Sequence, residues 1–246
     1  MFIMKTELAC IIFIMGRPGS GKSLTARCIQ GQSDLHGVLQ TCLLPGWDVQ
    51  HLTDYPLLRA RFLQEERTHL ASYQKRFARG PQDSFAVKDF SVLREVLVEM
   101  SDQLVQSMTL LNSPTLFLVE FARDDYGSWQ DIWGAFADSV RENAYCLCLQ
   151  AALPLCLSRV YERANKEQPG KDDNLVPNDI MFSYYPEERF IDVQEIFGMT
   201  RVEIVDNNGA WLDAWAEISS FVHSICVSRE MFLPRQPVPV PARKRT

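Results

Sequence analysis

Leu8-Ala9-Cys10-Ile11-Ile12-Phe13-Ile14-Met15 runs directly into Gly16-Arg17-Pro18-Gly19-Ser20-Gly21-Lys22-Ser23, and this junction decides the fold. The first half is apolar without alternation and bounded by glycine, the pattern of a strand buried on both faces in a parallel sheet. The second half matches G-x-x-x-x-G-K-[ST] at every specified position, with a helical stretch, Ser20 to Gln30, behind it. The physical logic is specific. Glycines let the backbone curl until its N–H groups face a phosphate, and the following helix N-terminus adds positive potential. Lys22 would bridge β- and γ-phosphates, and the Ser23 hydroxyl would ligate Mg²⁺, a cation that prefers oxygen. Gly16, Arg17, Pro18, Gly19, Ser20, Gly21, Lys22, Ser23 and Leu24 are therefore the expected nucleotide-contacting residues. For Arg17, a place over the phosphates and a place in solvent are equally good readings.

Outward from this junction, strands alternate with helices. Val38 to Leu44 reads as a weaker strand, closed by Pro45-Gly46. Tyr55 to Arg79 reads as one long helix, and Ser91 can cap another that runs to about Leu111. Thr115 to Phe121 and Ala144 to Gln150 are further buried strands, with an amphipathic helix over Trp129 to Asn143 between them. Pro154 to Lys166 is helical, Gln168 to Arg189 is a polar excursion, Arg201 to Val205 is a last strand and Leu212 to Val227 a last helix. Such alternation predicts an α/β fold of three layers, with a parallel sheet covered on both faces and ligands at the carboxyl ends of the strands. The predicted domain covers residues 1–230, with an insertion at about 164–190. Residues 231–246, proline-rich and basic, are expected to be disordered.

The chain has 246 residues, 25 Lys+Arg against 31 Asp+Glu, and a formal net charge of −6. That balance disfavours non-specific coating of nucleic acid or anionic membrane. No stretch reaches the ~20 apolar residues of a membrane helix. Seven cysteines, an odd number with no C-x-x-C pair, read as buried thiols of a reducing cytoplasm. His36, His51, His69 and His223 show no ligand spacing, so no metal beyond Mg²⁺ is expected. A GTPase would want N-K-x-D, and Asn165-Lys166-Glu167-Gln168 lacks the aspartate.

The layout resembles the adenylate-kinase-like group of P-loop kinases, which spans nucleoside and nucleotide kinases, small-molecule kinases of the shikimate and gluconate type, polynucleotide kinase and zeta toxins. The likeness covers residues 8 to 228, and the phosphate loop is its specific signature. It implies a P-loop NTPase fold with a five-stranded parallel sheet in the order 2-3-1-4-5, a helical lid at 164–190, and an acceptor-binding helical region at about 54–90. It also implies ATP and Mg²⁺ as cofactors and a small-molecule or nucleotide acceptor.

Several residues take roles through that resemblance. Arg159 and Arg163, in Pro154-Leu155-Cys156-Leu157-Ser158-Arg159-Val160-Tyr161-Glu162-Arg163, resemble the arginines that reach the transferring phosphate; four residues apart, they share a helix face. Asn207, in Ile204-Val205-Asp206-Asn207-Asn208-Gly209, resembles the loop near the adenine ring. Glu120, at the end of Leu116-Phe117-Leu118-Val119-Glu120, stands where an aspartate is usual. It would hold Mg²⁺ through water or take the acceptor's proton. Phe121-Ala122-Arg123 resembles a Phe-Pro-Arg run, a register that makes Arg123 a substrate- or phosphate-binding arginine; Asp125 is counted with it. An ion-pair cluster of Glu120, Arg123, Asp124 and Asp125 is the plainer alternative.

The resemblance also implies an aspartate after the second strand that binds the acceptor hydroxyl and acts as base; Asp54 is the candidate, with Asp48 second. Capping of the helix at Tyr55-Pro56 explains Asp54 equally well. Arg59 leads six basic residues over 59–79 that would line an acceptor pocket or form a solvated face. Two rival functions remain beside the small-molecule kinase: a kinase acting on nucleic acid, which the net charge disfavours, and a non-catalytic ATP-gated switch.

Overall fold

The computed structural model describes residues 6–31, 43, 45–68, 70–71, 73–80, 84–121, 129–165, 176, 178–185 and 190–230. Strand β1 (Ala9–Met15) is buried throughout and divides its side chains between two cores. Ala9, Ile11, Phe13 and Met15 enter one, and Cys10, Ile12 and Ile14 the other. A strand buried on both faces belongs in the middle of a covered parallel sheet. It lies there, hydrogen-bonded in parallel to β5 (Thr115–Glu120) on one side and β6 (Ala144–Gln150) on the other. The margins are β2 (Asp48–Thr53), beside β5, and β7 (Val202–Asp206), beside β6.

The sheet order is β2-β5-β1-β6-β7. The expected 2-3-1-4-5 needs one correction in its numbering. An antiparallel hairpin, β3 (Phe77–Arg79) with β4 (Phe85–Val87), intervenes in the chain and among the described residues pairs only with itself. With the hairpin set aside, the sheet strands stand second, third, first, fourth and fifth in chain order.

One face of the sheet is covered by α2 (Tyr55–Glu66), α3 (Ser91–Thr109), α4 (Trp129–Trp133), α5 (Asp138–Glu142) and α8 (Phe190–Phe197). Here Phe13 packs edge-on against Trp133 and Phe136, with ring centroids 4.9 and 4.8 Å apart. The other face is covered by α1 (Lys22–Ile29) and α9 (Trp211–Glu230). Helices α6 (Leu153–Ala164) and α7 (Asn178–Tyr184) form a smaller core of Ala151, Cys156, Met181 and Tyr185.

Several expectations change. The second sheet strand is Asp48–Thr53, whereas Val38 to Leu44, Leu43 excepted, lies outside the described residues. Its core-facing side chains are only half-buried, as suits an edge strand, which is why it lacks a continuous apolar run.

The long helix ends at Glu66, because the buried Glu65 carboxylate accepts the Arg76 and Phe77 backbone N–H groups at 2.8 and 3.0 Å. Those bonds turn the chain into the hairpin, where Phe77 and Phe85 pack on Phe62.

The stretch 129–143 is two short helices. They separate at Ala137, whose backbone is extended and whose N–H is met by Ser101 Oγ at 2.9 Å.

Helix α8 also falls beyond the polar excursion, unforeseen. Asp89, and not Ser91, supplies the acceptor at the start of α3: its Oδ1 takes the Ser91 N–H at 3.0 Å.

Six cysteines, 10, 28, 146, 148, 156 and 226, are buried free thiols; Cys42 lies outside the described residues. Burial raises the Cys10 pKa to about 12, which leaves an unreactive thiol. Among the described residues no helix is long and apolar enough to cross a membrane. The segment 231–246 lies outside the described residues, as does most of 164–190 apart from α7.

Candidate functional site

The loop after β1 curls because glycines permit it. Gly19 and Gly21 have φ of 85° and 103°, a region side chains with a Cβ rarely enter. A Cβ on Gly19 would also lie 2.5 Å from the Cys156 carbonyl oxygen. The loop is thus pressed against α6, and α1 starts straight after Gly21.

Lys22 opens α1 and turns back over the loop. Its buried ammonium donates to the Gly16 and Arg17 carbonyl oxygens at 2.7 and 2.8 Å. Burial pushes its pKa below the ordinary lysine value, against the opposing pull of Glu120 and Asp54. Both carboxylates thus face the ammonium electrostatically.

The parallel register explains how they get there. Thr53 of β2 pairs with Glu120 of β5, so the chain after both strands emerges at one level. Asp54 follows immediately, buried, with its backbone N–H on the Glu120 carbonyl at 3.2 Å. Its side chain makes no capping bond to α2, so the capping alternative is not what the structure contains. Asp48 lies at the opposite, amino end of β2, exposed and bonded to Ser113, and so is removed from the site.

Glu120 is the hub. Its Oε1 accepts the Ser23 hydroxyl at 2.7 Å, and its Oε2 lies 3.2 Å from His51 Nε2. Burial alone would raise the Glu120 pKa. The His51 hydrogen bond, the Lys22 charge and the Ser23 hydroxyl together outweigh it and hold the carboxyl below its ordinary value. His51 is the site residue that sequence reasoning passed over as a scattered histidine. Its signal was its place, three residues before Asp54 on the strand leading into it.

The arginines divide. Arg17 is buried, and donates from Nε to the Tyr185 carbonyl at 2.8 Å and from Nη1 to the Ala151 carbonyl at 2.9 Å. It ties the loop to the end of α7 and to the exit of β6, which is neither expected place. Arg159 reaches the Gly19 and Asn207 carbonyls at 3.4 and 3.2 Å, supporting the loop from α6. Arg163, one turn on, has a buried Nε without a hydrogen-bond partner among the described residues and feels the Lys22 charge.

Asn207 is buried, and its side-chain N–H group donates to the Ser20 carbonyl at 2.7 Å. It braces the loop from the start of the turn into α9. Arg59 is exposed on α2. Arg61, Lys75, Arg76 and Arg79 are engaged by Glu66, Asp89, Glu95 and Glu99, so the basic run is largely a clamp between α2, the hairpin and α3. Arg123 and Asp125 lie outside the described residues. Leu24 packs half-buried against the α1 face of the sheet.

No family model matches the chain, and no curated protein matches it in sequence. Solved structures do match. A gluconokinase from Sinorhizobium meliloti 1021 is 14% identical, with a TM-score of 0.50 over 91% of this chain and 97% of its own. Kti12 from Chaetomium thermophilum, in complex with ADP-AlF3, is 13% identical, with a TM-score of 0.48 over 87% and 98%. A shikimate kinase from Acinetobacter baumannii, in complex with shikimate, is 10% identical, with a TM-score of 0.42 over 90% and 96%. At such identities the likeness speaks for architecture. The phosphate loop, the parallel sheet and the gluconokinase match together give this chain the α/β fold of the P-loop kinases of the adenylate-kinase-like kind.

Proposed function

We propose that the protein is an ATP- and Mg²⁺-dependent phosphotransferase that moves the γ-phosphoryl group of ATP to a hydroxyl or phosphate of a small molecule, nucleoside or nucleotide. One observation carries this reading: Lys22, Ser23, Glu120 and Asp54 converge where β1, β2 and β5 end, beside a loop of main-chain donors.

The residues suit both cofactors. The Lys22 ammonium is held by loop carbonyls, which phosphate oxygens can replace. Ser23 Oγ and Glu120 Oε1 form an adjacent oxygen pair from two elements. Among the described residues no group of three or more His, Cys, Asp or Glu could by itself hold a metal ion. A site with few protein oxygens matches Mg²⁺, which keeps several waters and takes phosphate ligands. Bound there, Mg²⁺ would neutralise charge on the phosphate oxygens.

The chain's own groups then have distinct tasks. The loop amides and Lys22 grip and align the terminal phosphates. Arg163, whose buried Nε has no hydrogen-bond partner among the described residues, supplies positive charge to the phosphoryl oxygens. Asp54 accepts the proton of the acceptor hydroxyl as its oxygen bonds to the γ-phosphorus and the bond to the β-phosphate oxygen breaks. Asp54 and Arg59 belong to the acceptor side. A cytoplasmic location is part of the same reading, supported by the buried free thiols.

The test is incubation with γ-labelled ATP, Mg²⁺ and a panel of nucleosides, sugars, oligonucleotides and metabolites. Label should move to an acceptor with the wild-type chain and not with Lys22→Met. Absence of any calorimetric binding of Mg-nucleotide overturns the reading. The Arg17 contact with Tyr185 favours a second one, in which nucleotide occupancy governs the placement of α7 for a partner. Binding without transfer to any acceptor would support it.

A further inference from the structure

We propose that His51 is a positioning residue that fixes the Glu120 carboxylate for the metal, an inference that rests on the Mg²⁺-nucleotide reading above. Glutamate has one more torsion than aspartate between backbone and carboxylate. A carboxylate on that longer arm must be immobilised from two sides to present a defined oxygen. The structure supplies both sides. Ser23 donates to Oε1 at 2.7 Å, and His51 Nε2 meets Oε2 at 3.2 Å.

The register makes the second contact possible. His51 pairs with Leu118 and Thr53 with Glu120, and residues two apart on a strand share a face. His51 and Glu120 therefore point to the same side of the sheet from neighbouring strands, the side on which α1 carries Ser23. A carboxylate accepts and cannot donate, so the bond requires the His51 proton on Nε2.

With Oε2 held by His51, Glu120 keeps its orientation toward Ser23 when the nucleotide departs, and the oxygen pair is ready for the next metal. Partners of this kind, which orient a ligand without touching the metal, typically change metal affinity by about 10–100-fold when removed.

The experiment measures nucleotide binding by calorimetry on the full chain, in EDTA and across a Mg²⁺ series, with melting curves for each variant. Wild type should bind ATP with an affinity that rises with Mg²⁺. His51→Leu should need about 10-fold more Mg²⁺ for half the effect, with its affinity in EDTA unchanged. His51→Gln places an amide donor near the Nε2 position and should return the half-point to within about 3-fold of wild type. His51→Asn, too short to reach Oε2, should resemble His51→Leu and covers the case in which leucine fails to fold.

A wild-type Mg²⁺ half-point in His51→Asn and His51→Leu overturns the proposal. So does a loss of affinity in EDTA equal to that in Mg²⁺, which would mark a merely structural residue. If the wild-type chain binds no nucleotide, or binds it identically with and without Mg²⁺, the underlying reading fails first and this inference with it.

Discussion

Arg17 Nε donates to the backbone carbonyl of Tyr185, 168 residues away in the chain, at 2.8 Å. The same guanidinium donates through Nη1 to Ala151 at 2.9 Å. One side chain of the phosphate loop thereby joins the loop, the exit of β6 and the end of α7. Arg17→Ala should destabilise the protein by about 2 kcal/mol, the scale of losing charged hydrogen bonds in a buried place. Denaturant unfolding measures this, and the α7 amides should exchange faster. Arg17→Lys should not restore the protection, because a single ammonium does not reproduce the planar fork.

Gly19 and Gly46 have nearly equal φ, 85° and 89°, in different surroundings. Among the described residues a Cβ at Gly46 meets nothing within 4 Å, whereas at Gly19 it strikes Cys156. Gly46→Ala should cost only backbone strain, about 1 kcal/mol, and leave nucleotide binding intact. Gly19→Ala should cost about 2–3 kcal/mol and abolish binding, since the loop must leave α6. Thermal melts and calorimetry on the two variants separate strain from collision.

Glu120 is buried with its carboxyl pKa below the ordinary value of 4.5. A depressed folded-state pKa means that the ionised form stabilises the fold. That contribution is complete above the unfolded-state value and is lost as pH falls through the lower folded value. Glu120→Gln should therefore be less stable than wild type at pH 7, by about 1–3 kcal/mol. The gap should narrow below about pH 4.5. Denaturant midpoints at neutral and acid pH test both the size and the sign.

The proposed phosphotransferase activity gives Asp54 and Lys22 separable tasks. Asp54→Asn should keep nucleotide affinity within about 3-fold while lowering phosphoryl transfer by about 10²–10⁴-fold, as expected for a lost general base. Lys22→Met should lose nucleotide affinity itself. Equal losses of affinity in the two variants would contradict this division.

The phosphate loop and the buried strands were legible because their chemistry is local. Glycines at fixed spacing and unbroken apolar runs carry their meaning without tertiary context. β2 is hard to read because an edge strand is half solvated, and Asp48 to Thr53 holds only two apolar residues, Val49 and Leu52, in place of an apolar run. The helix Tyr55 to Arg79 was overextended because the Glu65 carboxylate, which stops it, acts on residues eleven and twelve positions later. His51 was missed for the same reason. Its partner lies 69 residues away, and only the register of β2 on β5 brings the two together.

Among the described residues, β2 is bonded to the sheet along one side only. The groups it brings, His51 and Asp54, therefore depend on a single ladder, while the phosphate grip sits on the central strand between two. Local opening of that outer ladder costs less than unfolding the centre. A transient peeling of β2 would carry His51 and Asp54 away from Lys22 and Glu120 while leaving the loop after β1 in place.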